Sequence, residues 1–536
     1  MPSKRALEHR KRGEHLRKQH LAELKRHPRK LHPNQAILAG ILIALLGLSD
    51  LFAEGPYSMW FWLFFVIGAL IVLPNAILLK YKKGAPTVPY FITMLKTKHF
   101  INGINSISRK GWIFEKISLG GTVLGFGLVA VDYFWARKRG GWKRIAILAV
   151  AAVILGAIFM TTMSFLFSVP LFAPLFIPCL LGFVLLGFGG MMLALLMGYA
   201  GLSIVSLFKG GQICPSIAPV LPGVPMPGLG VILPWIAWIS LFLVLAVHEL
   251  SHGVLMRYYK EKIKSVGLLL AGIIPIGAFV EQDDKTFKKL EDKKALMVLG
   301  AGASINLFSI GVGLALMAIL SFSLVPLAGS FSGEFEKMYY GVKINSVQES
   351  VDFCGVQKPA PAFGKLLAGD QVLAVNGVDV NSIAGVNVEF AKAGRDLNFK
   401  VLRDGNTRVV PLRAAVFEDF NLKRIGVEFG SIPTGYEPPP WMIAFSVLVS
   451  SVSAILLYFV VLSFAAGSFN FVPADIIMPG LALDGSYMAK IMLLPYFSFM
   501  GFKSKEETQL FIGRLFYWIF NITLLLNLIP YLTMII

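Results

Sequence analysis

Histidine runs out early in this chain. Of eight in 536 residues, five are His9, His15, His20, His27 and His32, one is His99, and the last two are His248 and His252. A metal site built on that last pair and closed from the downstream half therefore needs a carboxylate, a cysteine or water as its further ligand. Cysteine is scarcer still. Cys179, Cys214 and Cys354 form neither a metal-ligand spacing nor a disulfide framework, which excludes zinc-finger and disulfide-stapled scaffolds. Charge is thin, at 15% of residues against 56% hydrophobic, and mean hydropathy is +0.68. That balance excludes an ordinary soluble enzyme and implies a polytopic membrane protein. No short charged region followed by an apolar run and a small-residue cleavage site opens the sequence, so no cleaved signal peptide is expected.

The basic excess is concentrated at one end. Residues 1–34 carry 11 Lys and Arg against three acids. Beside a membrane span, such a tail reads as a cytoplasmic flank near anionic lipid, and a nucleic-acid partner is not favoured. Apolar runs follow at 35–52 and 59–79, and then a basic, polar segment at 80–118. The run 119–135 is Gly-rich, and Arg137-Lys138-Arg139 follow it at once, so it either spans or re-enters. Residues 145–208 hold two further spans or three. Both solutions give five spans across 35–208 and place the Pro/Gly-rich loop 209–230 outside. The next span, 231–257, then runs inward to Arg257, Lys260, Lys262 and Lys264. Residues 266–280, apolar but broken by Gly and Pro, read as a re-entrant hairpin.

The sharpest chemistry sits in that inward span. His248-Glu249-Leu250-Ser251-His252 places two histidines four apart, on one face of a helix, where both can reach one metal ion. Glu249 between them can act as base toward a water at the metal. An ionised side chain at bilayer depth costs about 2.5–3.5 kcal/mol on insertion scales, so a Glu here is expected to work. His248 precedes Arg257 by about 13 Å of helix, nearer the cytoplasmic end. The downstream carboxylates that return to this depth are Asp475 and Asp484, and the residues leave both open as third ligand. Asn306 is a polar group inside the following span. It fits a helix–helix contact, or a donor to a substrate carbonyl or oxyanion. Asn470 is a similar polar residue at the end of a later span.

Residues 335–432 differ in composition. Charge returns, and short alternating runs such as Gln371–Val375 are separated by turn pairs, Asn376-Gly377 and Asp404-Gly405. The expected fold class is thus a polytopic α-helical membrane protein with a small soluble β-rich domain inserted between two spans. The divisions are a basic tail (1–34), an N-terminal transmembrane region (35–208), two core halves (209–334 and 433–536) and the β-rich insert (335–432). The N-terminus is expected to be cytoplasmic and the insert to lie outside. A transporter or a non-catalytic scaffold that retains a metal site is the alternative. Inverted repeats would favour transport, and none is found.

Taken together, the motifs resemble the site-2 protease family of intramembrane zinc metalloproteases. The resemblance is carried by His248 to Gly253, the Pro275–Val280 hairpin, Gly302 to Asn306, and Asn470-Phe471-Val472-Pro473 with Leu483-Asp484-Gly485. The loop Leu221-Pro222-Gly223-Val224 is similar to that of archaeal members. The insert resembles a PDZ domain through Gly369 to Gly377, and Gly341-Val342 matches the strand opening that binds a peptide carboxyl end. The resemblance implies one Zn2+ per chain on His248, His252 and Asp484. It implies Glu249 as general base and acid, and Asn306 as a catalytic residue toward the transition state. Asn470, Gly277, Gly341 and Val342 would contact substrate. Its implied partners are transmembrane protein substrates in the lipid bilayer and peptide C-termini at the insert. Two departures stand out. Ala303 occupies a position where the family often has Pro, and the spacing from Asn470 to Asp484 is long.

Overall fold

The structure is a computed structural model. It describes Ile41, Pro86–Thr87, Ile92–Thr97 and residues 100–530, except 171, 209–221, 224–232, 272–273, 284–286, 288, 354–355, 419–420, 476–482 and 503. The basic tail and the spans expected at 35–52 and 59–79 thus lie outside the described residues, Ile41 apart. The chain divides into two compact units, residues 1–98 with 266–278, and residues 99–265 with 279–536.

The first unit carries a sheet in the order β1 (Pro86–Thr87), β2 (Ile92–Thr97), β3 (Ile263–Ala271) and β4 (Ile274–Gln282). The hairpin expected over 266–280 is therefore a pair of β-strands, with β4 at the sheet's edge. Strand β2 falls in the segment read from sequence as a basic loop. It pairs antiparallel with β3, from Ile92 opposite Ala271 to Thr97 opposite Val266. A β-branched and apolar run inside a charged segment becomes a strand when a hairpin offers it a partner.

The second unit is built on helices. Seven in the described residues are long and apolar enough to cross a membrane: Gly111–Ala136, Gly141–Ser168, Ala173–Phe208, Ala237–Tyr258, Asp292–Leu327, Pro440–Asn470 and Lys505–Leu526. Length and hydropathy conceal a difference among them. Following the short α1 (Ile101–Ser108), α2 (Gly111–Val131) is broken at Gly127, where φ is +52. Before the break, α2 climbs beside α6 (Asp292–Glu336), with Ser118 Oγ donating to Met297 O at 2.6 Å. After it, the chain returns. Asp132 accepts from Tyr496 at 2.5 Å, and Tyr133 is in electrostatic reach of Glu291 and Asp292, at the start of α6. A straight helix would have carried these residues the other way along α6.

The next helix, α3 (Gly141–Met163), is straight. Then α4 (Phe176–Phe208) reverses at Leu186-Gly187, where Gly187 has φ +57. Gly182 and Gly190 lie eight residues apart, about 12 Å along a straight helix. Here a Cβ on Gly182 would come within 2.6 Å of Gly190 O, so the two limbs run back to back. The tips of α2 and α4 meet: a methyl on Gly187 would overlap the backbone of Leu124 to Phe126, and one on Gly127 would overlap Val184 O. Only glycine combines a positive φ with so close an approach of two backbones. The count of crossings changes with this. Where sequence gives three apolar crossings between 111 and 208, with or without a re-entrant run at 119–135, the structure has one straight helix and two that double back.

The core continues through α5 (Ala237–Tyr258), α6 and α8 (Pro440–Asn470). The β-rich insert sits between α6 and α8. Its main sheet runs β11 (Asn406–Arg413), β10 (Asp396–Arg403), β8 (Gln371–Val375), β5 (Tyr339–Val347), β14 (Val427–Pro433), with the short β9 (Val378–Asp379) on β8. Val342, Val372, Phe399, Val401 and Leu412 form its core under α7 (Ile383–Lys392). Buried Asp370 is held by Arg403 through two 2.6 Å bonds and by Leu367 N–H at 2.9 Å. Burial alone would raise that carboxyl; the guanidinium and the amide overturn it and hold it below the ordinary carboxylate range.

Candidate metal centre

Helix α5 is apolar on all sides, as a membrane or deeply buried helix should be, so His248 and His252 are its conspicuous polar pair. Their four-residue spacing brings the rings edge to face, with centroids 5.0 Å apart. The third group comes from α9 (Asp484–Met492), whose first residue is Asp484. Nε2 of His248 lies 3.4 Å from Asp484 Oδ2, Nε2 of His252 lies 3.3 Å from the same oxygen, and the two Nε2 atoms are 3.2 Å apart. A tetrahedral zinc with bonds of about 2.0–2.1 Å separates its ligand atoms by about 3.3 Å. All three separations match that value. Asp484 Oδ2 is buried and makes no hydrogen bond within the protein. Together these fit a cation among the three atoms.

Space for it comes from Gly302 of α6. A methyl there would run into Nε2 of both histidines. This residue belongs to the sequence Gly302 to Asn306 but was read only for its resemblance; its spatial reason is the open face of the cluster.

Of the two candidate carboxylates, the structure brings Asp484 to the histidines and keeps Asp475 away. Asp475 Oδ2 pairs with Lys490 at 3.2 Å, and its backbone carbonyl accepts from Asn521. Asp484 is steered by the turn before it. Gly485 packs against the backbone of Phe471 and Val472, with no room for a Cβ. Phe471 is fully buried between the two doubled helices, its ring against Gly125 and Phe126 and its carbonyl against Gly189. Sequence reasoning missed Gly125 and Gly189, because nothing local marks which chain they face.

Glu249 sits beside the cluster. Its Oε2 accepts from the backbone N–H of Val280 in β4 at 3.1 Å. Gly277 lies in the same strand. Asn306 is fully buried, and its side-chain oxygen has no hydrogen-bond partner. Its side-chain nitrogen Nδ2 lies 3.0 Å from His248 Nδ1. Asn470 donates to Ala466 O at 3.0 Å within its own helix.

A correction concerns Gly341 and Val342. Both lie in β5, an interior strand, and Val342 is opposite Ser431 of β14 on one side and Val372 of β8 on the other. A strand already paired on both edges cannot take a peptide. The strands at the two ends of this sheet are β11 and β14. Beside β14, Val427, Phe429, Asn387, Phe390 and Gly426 line a cavity of about 330 Å³. Lys423 and Arg424 stand at this cavity too, and Lys423 Nζ donates to Phe390 O at 3.0 Å.

Comparison with protein families matches residues 236–520, more than half of the chain, to peptidase family M50. The chain belongs to that family. The matched residues contain the histidine pair, Asn306 and Asp484, and they stop short of α2 to α4. This M50 peptidase is also 31% identical over 179 residues to an uncharacterised protein of Methanocaldococcus jannaschii. The match takes in 33% of the chain and spans 41% of that relative's length.

Proposed function

We propose that this M50 peptidase is a zinc-dependent intramembrane endopeptidase that cuts transmembrane segments of other membrane proteins. The observation that carries the proposal is the set of three ligand atoms at tetrahedral spacing, two of them on a helix long and apolar enough to cross a bilayer. His248, His252 and Asp484 would hold one zinc per chain. When bound, zinc supplies a Lewis acid that polarises a peptide carbonyl and acidifies water. Glu249 then does the proton work. Val280 N–H fixes Oε2 and the plane of the carboxylate, and Oε1 takes the proton of the attacking water and passes it to the leaving amine.

A transmembrane helix hides its carbonyls in internal hydrogen bonds, so the substrate has to unwind. The outer edge of β4 is where an extended segment would pair, with Gly277 on that strand. The β-rich insert reads as a PDZ-like module on the outer side of the membrane, with the N-terminus cytoplasmic. One crossing between 111 and 208, added to the two expected before it, is odd, as five is, and so keeps that placement. A peptide C-terminus would lie in the cavity along β14, with Lys423 and Arg424 for its carboxylate.

Zinc analysis and cleavage test the reading together. Purified protein should hold one zinc per chain, and His248→Ala should lose it. Glu249→Gln should keep the zinc and cut a reporter membrane substrate 10²–10⁴-fold more slowly, roughly the range for loss of a positioned base. A metal-free wild-type protein, or full activity in Glu249→Gln, would overturn the proposal.

A further inference from the structure

The two histidines of the cluster are held from behind by different groups. Nδ1 of His252 lies 2.7 Å from the carbonyl oxygen of Val298. A carbonyl only accepts, so Nδ1 carries the proton and Nε2 presents its lone pair to Asp484 and to the metal space. His248 has no carbonyl behind it. Its Nδ1 meets the carboxamide of Asn306 at 3.0 Å, and Asn306 is fully buried. A carboxamide can serve either way, because its oxygen and nitrogen have the same shape and only the partner decides between them. In the structure the amide nitrogen Nδ2 faces the ring and the oxygen Oδ1 is buried without a partner; in that orientation Nδ1 would be a lone pair, and Nε2 would carry a proton into the centre of the cluster. That proton would occupy the point where three ligand atoms already stand 3.2–3.4 Å apart. With the oxygen facing the ring, Nδ1–H donates to Asn306 and the His248 lone pair joins the other two.

We infer that Asn306 is a positioning residue: its carboxamide oxygen accepts from His248 Nδ1–H and fixes the tautomer and ring plane in which His248 Nε2 faces the metal. This rests on the zinc reading above and assigns Asn306 a role through His248 instead of contact with substrate. One helix thus sets both ligands, through the backbone carbonyl of Val298 and the side chain of Asn306 two turns further along α6, with Gly302 between them leaving the room in front.

The test compares two substitutions of similar size. Asn306→Leu removes the acceptor, and Asn306→Asp keeps one. Zinc affinity, measured by competition with a chromophoric chelator, should fall about 10–100-fold in Asn306→Leu, in line with loss of a supporting hydrogen bond. In Asn306→Asp it should stay within a few-fold of wild type. Cobalt in place of zinc gives a readout that a general loss of structure would not. Each metal-bound histidine shows one shifted, exchangeable ring N–H proton. In Asn306→Leu the His248 signal should be lost to fast exchange, while the His252 signal, held by Val298, persists. Equal affinity in Asn306→Leu and wild type, loss in Asn306→Asp equal to that in Asn306→Leu, or parallel loss of both proton signals would overturn the inference. A wild-type protein that binds neither zinc nor cobalt would instead sink the metalloprotease reading itself.

Discussion

Helices α2 and α3 follow one another in the chain, are of similar length, and are both apolar enough to cross a membrane, yet they do different things. Helix α3 runs straight and is mostly exposed, as a lipid-facing helix should be, with 11% of its most apolar stretch buried against 50% in α2. Helix α2 turns back at Gly127 and is packed from both sides. The difference lies in the glycines. Within α2, Gly121, Gly125 and Gly127 each touch another chain segment so closely that a methyl would overlap it, whereas Gly156 of α3 has nothing within 4 Å. Hydropathy reports the medium a segment lies in. The path of its backbone is set by where side chains are missing and what fills the gap.

Chemical labelling gives the starkest break of that comparison. In a cysteine-free background, cysteines placed at Lys110 and Lys138, on either side of α2, should react from the same side of a sealed vesicle. Cysteines at Lys138 and Phe165, on either side of α3, should react from opposite sides. Labelling of Lys110 and Lys138 positions from opposite sides would mean that α2 crosses.

Next in size is the meeting of the tips. Gly187→Ala combines a left-handed φ, worth about 1–2 kcal/mol, with overpacking against backbone, worth about 1–3 kcal/mol more. A fall in thermal stability of that order is expected, with loss of zinc through the displaced Phe471 turn. The same substitution at Gly156 should be neutral, or stabilise by up to about 1 kcal/mol.

A smaller effect is expected at the return of α2. Asp132 is buried and binds Arg144 through two 2.7 Å bonds, and it also accepts from Tyr496. Asp132→Asn should cost about 1–2 kcal/mol by denaturation, less than a fully buried pair would, because the Arg144 side chain is 38% exposed. Arg144→Gln in the same protein should recover part of the loss, since the unpaired cation is removed.

The sequence made the local parts of this molecule readable. A histidine pair at i and i+4 needs only the helical repeat to converge, and the absence of later histidines pointed to a carboxylate. Asn376-Gly377 and Asp404-Gly405 were legible as hairpin turns because both residues of each pair adopt positive φ, which Asn, Asp and Gly tolerate. What stayed hidden depends on distant partners. Asp475 and Asp484 both follow a break in an apolar run, and only Lys490 and the Phe471 turn tell them apart. Val342 looks like a binding strand by its motif, but whether a strand is central or at an edge depends on the order of the whole sheet. Asn306 was visible as a polar residue in a span, while its partner, 58 residues earlier, was not.

The seating of Phe471 bears on how far this chain can be divided. Its ring and carbonyl are walled by residues 125, 126 and 189, all upstream of the segment that matches the M50 family at 236–520. The matched segment is therefore not a portable cassette. Cut out on its own, it would keep His248, His252 and Asp484 and lose the wall behind the turn that delivers Asp484.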